Sequence, residues 1–324
     1  TAAFVLHSYV AMLFGIGVNR ALRVIMSYVM HPYRPALSLK SWRGLAGYST
    51  WTWLLSLAVL VRDRGDSLLL GRLMNIASVG FYSVGAEIAA LPTTELIEPL
   101  GRAAFSGFAA SRQQQTEVGE TFLRLIGSAA LLTLPAGVGL SLVAAPLVAL
   151  AFGPGWEPAV PALRILSLSF SVMVFGHLSL HLLSAHALLG RLVGITLTGA
   201  AVRIVLLALL IPPFGMVGAA TGAAIGVLLE QVLTVLTALR RFRIDPRAIG
   251  QLIWRPGLAV SCMATVLFGT GLGWTDDADP MLLAEAVFAG AAIYTAVLLA
   301  AWALAGRPAG SETDLLTVLR RAVR

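Results

Sequence analysis

Residues 45–61, LAGYSTWTWLLSLAVLV, lead into Arg62-Asp63-Arg64-Gly65-Asp66-Ser67-Leu68-Leu69-Leu70-Gly71-Arg72, and a second apolar run, residues 76–92, follows almost at once. Four ionisable side chains in five residues stand between segments suited to lipid. Charges inside a membrane span are costly and normally face a cavity, a partner or a water path. Arg62 and Asp66 are four apart, so they share a helix face and can pair. Two placements fit the cluster. With a helix starting at Trp42, ~20 residues reach the outer surface near Arg62 and the charges are interfacial. If residues 42–48 lie along the inner interface instead, the cluster is inside the membrane, which the Leu68-Leu69-Leu70 run beyond it favours.

The rest of the chain supports a membrane reading. Of 324 residues, 58% are hydrophobic and 12% charged, with mean hydropathy +0.85; soluble domains carry about twice the charge. The apolar runs are uniform rather than alternating, and each approaches the ~20 residues of a spanning helix, so helices and not barrel strands are expected. The expected fold is an all-α polytopic membrane protein of about nine spans: residues 2–30, 42–74, 78–105, 119–143, 159–183, 188–211 (ended by Pro212-Pro213), 216–239, 252–272 and 281–305. The chain opens on Thr1 directly into apolar sequence, without a signal-peptide layout, and is expected to be a fragment that lacks its natural N-terminus.

The net charge is +7, carried almost wholly by arginine, with Lys40 the only lysine. Basic loops alternate with loops lacking Lys and Arg: Arg34 and Lys40, Arg112, Arg191, Arg240 to Arg247 and Arg307 to Arg324 fall on one side, and the acidic Asp276, Asp277 and Asp279 on the other. By the positive-inside rule the C-terminus is expected in the cytoplasm. No soluble face exists for nucleic acid, and the lone Cys262 excludes an internal disulfide.

Polar groups recur within the spans. Glu87, Glu95, Glu98 and Arg102 fall within about 80° of one another on an ideal helix. Either Glu98 and Arg102 pair near the inner surface, leaving Glu87 alone at depth, or the face lines a hydrated path. Arg203 has no acid near it in sequence; a long-range pair with Glu230 is one expectation. Arg20 and Arg23 are expected to snorkel to the inner interface. His177 and His181 have metal-ligand spacing but no His-Glu-x-x-His pattern, so no metal is expected. No Walker loop, Gly-x-Ser-x-Gly, paired-cysteine or dinucleotide signature occurs, so neither an enzyme nor a cofactor is expected.

Three stretches together carry a resemblance. They are residues 64–72 continuing through Val79-Gly80-Phe81-Tyr82 to Pro92; Phe152-Gly153-Pro154-Gly155-Trp156-Glu157-Pro158 continuing to Leu166; and Gly215-Met216-Val217-Gly218-Ala219-Ala220-Thr221-Gly222. They resemble the later half of Wzx-type polysaccharide flippases, members of the multidrug/oligosaccharidyl-lipid/polysaccharide exporter superfamily. One departure is Phe105-Ser106-Gly107, where many members have proline after the aromatic residue. The resemblance implies helix six, the C-lobe and two additional helices of a two-lobe exporter. Residues 1–35 would then be the last helix of the N-lobe, 36–240 the C-lobe, 241–305 the two added helices and 306–324 a cytoplasmic tail. It implies a bacterial inner-membrane transporter of lipid-diphosphate-linked oligosaccharide, working by alternating access with H+ or Na+ as coupling ion. Guanidinium groups suit a diphosphate, which makes Arg62, Arg64 and Arg203 candidate cavity cations. Asp66, Glu87, Glu95 and Glu98 are the candidates for ion coupling or gating. A multidrug or peptidoglycan-precursor exporter is the alternative within the superfamily. An intramembrane glycan transferase or polymerase is the alternative outside it, disfavoured by the short outer loops.

Overall fold

The computed structural model describes residues 9–30, 42–97, 115–277, 279–306 and 313. The chain divides into two compact units, residues 1–47 and 48–324. In the first, α1 (Tyr9–Met30) is an apolar helix with exposed Arg20 and Arg23. The continuous 32-residue α2 (Trp42–Leu73) carries the chain into the second unit. There follow α3 (Ile76–Leu91), a π-helical segment (Pro92–Ile97), α4 (Gln115–Leu142), α5 (Ala144–Phe152), α6 (Val160–Ser171), α7 (Met173–Ala185), α8 (Leu189–Phe242), α9 (Pro246–Gly269) and α10 (Pro280–Leu304). The fold is all-α, with no strand among the described residues.

Five described helices are long and apolar enough to cross a membrane, and a sixth span arises if α6 and α7, bent by 50° with the preceding 3-10 turn included, form one broken crossing. That count is lower than nine partly because α8 is a single 54-residue element that folds back on itself. Gly215 has φ 55° and ψ −128°, a conformation closed to residues with a Cβ. The break falls there and not at Pro212-Pro213, which lie inside the helix before the turn. Residues 189–214 and 216–242 become antiparallel arms. A Cβ at Gly218 would stand 2.0 Å from the Leu210 carbonyl oxygen, and one at Gly226 2.5 Å from Arg203 Cβ. Small residues thus set the arm spacing, as expected where lipid removes the usual hydrophobic drive for helix association.

Helix α2 runs in the same direction as the first arm: Trp51 stands beside Gly190, Ile204 beside Gly65 and Met74 beside Gly215. α6 packs against α3, α4 and α8, while α9 bridges α4 and α10. One cluster of buried side chains joins α2, α3, α5, α6 and α8 through Leu70, Tyr82, Leu163, Leu166 and Leu207. Another joins α4, α9 and α10, where Tyr294 donates to the Leu131 carbonyl at 2.8 Å.

The Phe152 to Pro158 loop ties the bundle to α3. Trp156 meets Phe81 edge to face at 5.5 Å and Phe152 at 5.1 Å. The Glu157 carboxylate accepts the Gly155 N–H at 3.1 Å. The 273–279 loop is clasped from α6, where Arg164 donates to the Trp274 carbonyl at 3.3 Å and to Asp276 at 3.2 Å.

Candidate functional site

Two ion pairs, one buried and one partly buried, link α2 to the arms of α8. Arg203 Nε donates to Asp66 Oδ1 at 2.8 Å, and Arg203 Nη2 contacts Asp66 Oδ2 to complete the fork. Tyr82 of α3 donates its hydroxyl to Asp66 Oδ2 at 2.8 Å. One turn earlier on α2, Arg62 Nη1 lies 2.9 Å from Glu230 Oε1 and 3.1 Å from Oε2. Its Nε also donates to Asp63 at 2.9 Å. Thr196 donates to Glu230 Oε1 at 3.0 Å.

The local sequence accounts for this arrangement. Arg62 and Asp66 share a face of α2 through their four-residue spacing, yet each reaches across to a different arm of α8. Gly226 lets Arg203 pass, and a Cβ at Gly199 would stand 3.0 Å from Glu230 Cβ. Asp66, Arg203 and Glu230 are buried, whereas the Arg62 side chain keeps 17% exposure. Arg203 lies midway along the first arm and Glu230 midway along the second. The pairs therefore sit far from both ends of the hairpin.

Burying a lone charge is prohibitive, and a pair offsets this only with good geometry and further hydrogen bonds. Both conditions hold here: Asp66 accepts from a guanidinium and a phenol, Glu230 from a guanidinium and a hydroxyl. Two cations and two buried anions leave the centre near neutral, with Asp63 at its exposed rim.

The remaining expected residues lie elsewhere. Arg64, on the same helix, is exposed, as are Glu87 and Glu95 on and after α3. Tyr82, Gly85 and Ala89 form the buried side of α3. The ideal-helix angle relating Glu87 to Glu95 does not apply, because the backbone becomes π-helical at Pro92. Glu98, Arg102, the basic tail and several loop charges (Arg34, Lys40, Arg112) fall outside the described residues. Arg203 pairs with Asp66 and not with Glu230, and Arg62 takes Glu230 in place of Asp66. Tyr82 and Thr196 have no sequence signal that would have singled them out. No group of three metal-ligating side chains exists among the described residues, and His177 Nδ1 lies 3.2 Å from the Met173 carbonyl.

The family model described as "Polysaccharide biosynthesis protein" matches residues 1–161. The chain is 28% identical over 291 residues to a probable flippase, AglR, of Haloferax volcanii, covering 88% of this chain and 58% of that one. It is 26% identical over 153 residues to the lipopolysaccharide biosynthesis protein WzxC of Escherichia coli (46% and 31%). It is 29% identical over 103 residues to the teichuronic acid biosynthesis protein TuaB of Bacillus subtilis (32% and 21%). In each case the match spans less than two thirds of the relative. In fold it is similar to the lipid II flippase MurJ in an inward closed conformation, with TM-score 0.66 at 13% identity, covering 87% of this chain and 59% of that one. Flippases are transporters and not enzymes. With the three motifs at the α2–α3 segment, the aromatic loop and the Gly215 turn, the chain is similar in sequence over part of its length to polysaccharide flippases, shares its fold with a lipid flippase, and has the long apolar helices of a multi-pass membrane protein.

Proposed function

We propose that this chain forms part of a carrier that moves a lipid-diphosphate-linked oligosaccharide across the bacterial inner membrane by alternating access. The observation that carries the reading is the pair of guanidinium–carboxylate contacts at the mid-length of the α8 hairpin. Ionisable groups at such depth are expensive and mark transport paths by default.

Arg62 is the cation able to change partner. It touches Asp63 and Glu230 together and is the more exposed of the two paired arginines. A diphosphate offers the same forked acceptor as a carboxylate, so cargo can take the place of Glu230. Arg64, exposed and on another side of α2 from Arg62, is a cation for cargo outside the paired centre. Arg203, held and neutralised by Asp66, is the third cation and orients the centre beside Arg62. Asp66, Glu87, Glu95 and Glu98 remain the carboxylates for H+ or Na+ coupling and gating.

The lipid part of the cargo has a matching surface. A groove of about 660 Å³ between α4, α5, α9 and α10 is lined by apolar side chains including Leu131, Pro135, Leu147, Met263 and Leu298. In this reading residues 1–35 end the N-lobe, 36–240 are the C-lobe, 241–305 are the two added helices, and 306–324 are a cytoplasmic tail. The second reading, a multidrug or peptidoglycan-precursor exporter, draws only on the likeness in fold to the lipid II flippase.

The test is complementation of a strain lacking its polysaccharide flippase with the full-length gene. Wild type restores surface polysaccharide, and Arg62→Ala loses most of it at equal membrane abundance. Wild-type protein present in the membrane without restored polysaccharide would overturn the reading.

A further inference from the structure

A second polar site lies at the end of the α8 hairpin opposite the Gly215 turn. The arms part there around a cleft of about 470 Å³. Arg191 from the first arm and Arg240 from the second line it, together with Thr198 and Thr237. Both threonines spend their hydroxyl protons on helix carbonyls, at 2.8 Å to Gly194 and 2.7 Å to Leu233. The two guanidiniums are thus the donors left for a ligand. Among the described residues neither makes an ion pair or hydrogen bond, while Arg62, Arg164 and Arg203 all have carboxylate partners. The nearest acidic residue in sequence, Asp245, is used to cap α9 through the Arg247 N–H at 2.9 Å.

The cleft grades from polar to apolar. Its wall includes Ile195 and Leu233, and Gly194 leaves room, since a Cβ there would meet nothing within 4 Å. Arg241, Arg243 and Arg247 are exposed at the same end and add to the positive field. We propose that this cleft binds the phosphate headgroup of an anionic phospholipid, with Arg191 and Arg240 clamping the phosphate and the Ile195–Leu233 wall receiving the upper acyl chain. A free phosphate would use the same guanidiniums but has no use for the apolar wall. Basic pockets between membrane helices favour such headgroups through both local contacts and the field at the membrane surface. The lipid site shares no side chain with the Arg62–Glu230 and Arg203–Asp66 pairs.

The full-length protein, purified in neutral detergent and titrated with phosphatidylglycerol under native mass spectrometry, tests this. Arg191→Gln/Arg240→Gln should weaken one binding event about thirtyfold, the effect of removing two basic contacts at a membrane surface. Arg243→Gln/Arg247→Gln, which removes only part of the surrounding field, should weaken that event far less than the loss of the Arg191–Arg240 clamp. Gly194→Leu keeps every charge and fills the cleft, and should also abolish it, which covers misfolding of the double variant. Equal losses in both arginine pairs would show diffuse surface charge and overturn the site, as would undiminished binding in Gly194→Leu or equal binding of phosphatidylcholine. Arginine-dependent binding of inorganic phosphate that competes fully with the lipid would assign the cleft to a free anion and overturn the lipid assignment.

Discussion

Asp66 is the residue on which the buried centre turns, since it satisfies a guanidinium from α8 and a phenol from α3 together. Asp66→Asn should lower stability by about 3–5 kcal/mol, because the Arg203 charge is then buried without compensation. Replacing both partners with leucine should recover most of that loss, as apolar substitutes for a buried pair are often neutral. Thermal unfolding of purified full-length variants, followed by loss of the monodisperse peak, measures both; a double variant no better than the single one would contradict the pairing. The glycines beside the pairs divide in the same way. Gly226→Ala pushes a methyl into Arg203 and should cost about 1–3 kcal/mol, whereas Gly194→Ala, open to space, should be nearly silent. Arg62, Asp66, Arg203 and Glu230 all stood out in the sequence as charges in apolar runs. Their partners did not, because pairing across helices depends on which arm lies against α2. The i, i+4 relation of Arg62 to Asp66 describes a shared face, and that face turned out to meet two different arms.

At the scale of elements, the α8 hairpin organises the second unit. Its turn is set by Gly215, where a Cβ would be strained by about 1–3 kcal/mol. Gly215→Ala should therefore destabilise the protein more than Pro212→Ala, which replaces a proline inside the helix with a better helix former. A larger loss from Pro212→Ala in the same unfolding measurement would mean that the prolines set the turn. Apolar length located most of the helices: α2, α9 and α10 begin or end within a few residues of the runs that announce them. What composition could not reveal was how they break. The π-helical segment from Pro92, the short α5 and the bend between α6 and α7 are settled by packing and not by hydropathy. The same limit applies to the depth of the Arg62 cluster. The structure places the cluster beside the middle of the first arm, because α2 runs along it with Trp51 at Gly190 and Met74 at Gly215.

For the whole molecule, we propose from the alternation of basic and acidic loops an orientation with the C-terminus in the cytoplasm. A green fluorescent protein fused after Arg324 should fluoresce, and alkaline phosphatase fused there should be inactive; the reverse pattern would invert the topology. Under that orientation the Arg191–Arg240 cleft faces the inner leaflet, and the Trp274 loop clasped by Arg164 faces outward. Between these ends lie the ion pairs, on the path we propose for the cargo headgroup. The most direct test reconstitutes the full-length protein in vesicles with a fluorescent lipid-diphosphate oligosaccharide and follows its movement between leaflets with a membrane-impermeant quencher. Transport is expected with wild type, and Arg62→Ala should slow it by at least tenfold, the loss of about 1.4 kcal/mol or more of phosphate interaction. Movement no faster than in protein-free vesicles, or undiminished transport by Arg62→Ala, would contradict a carrier built around these pairs.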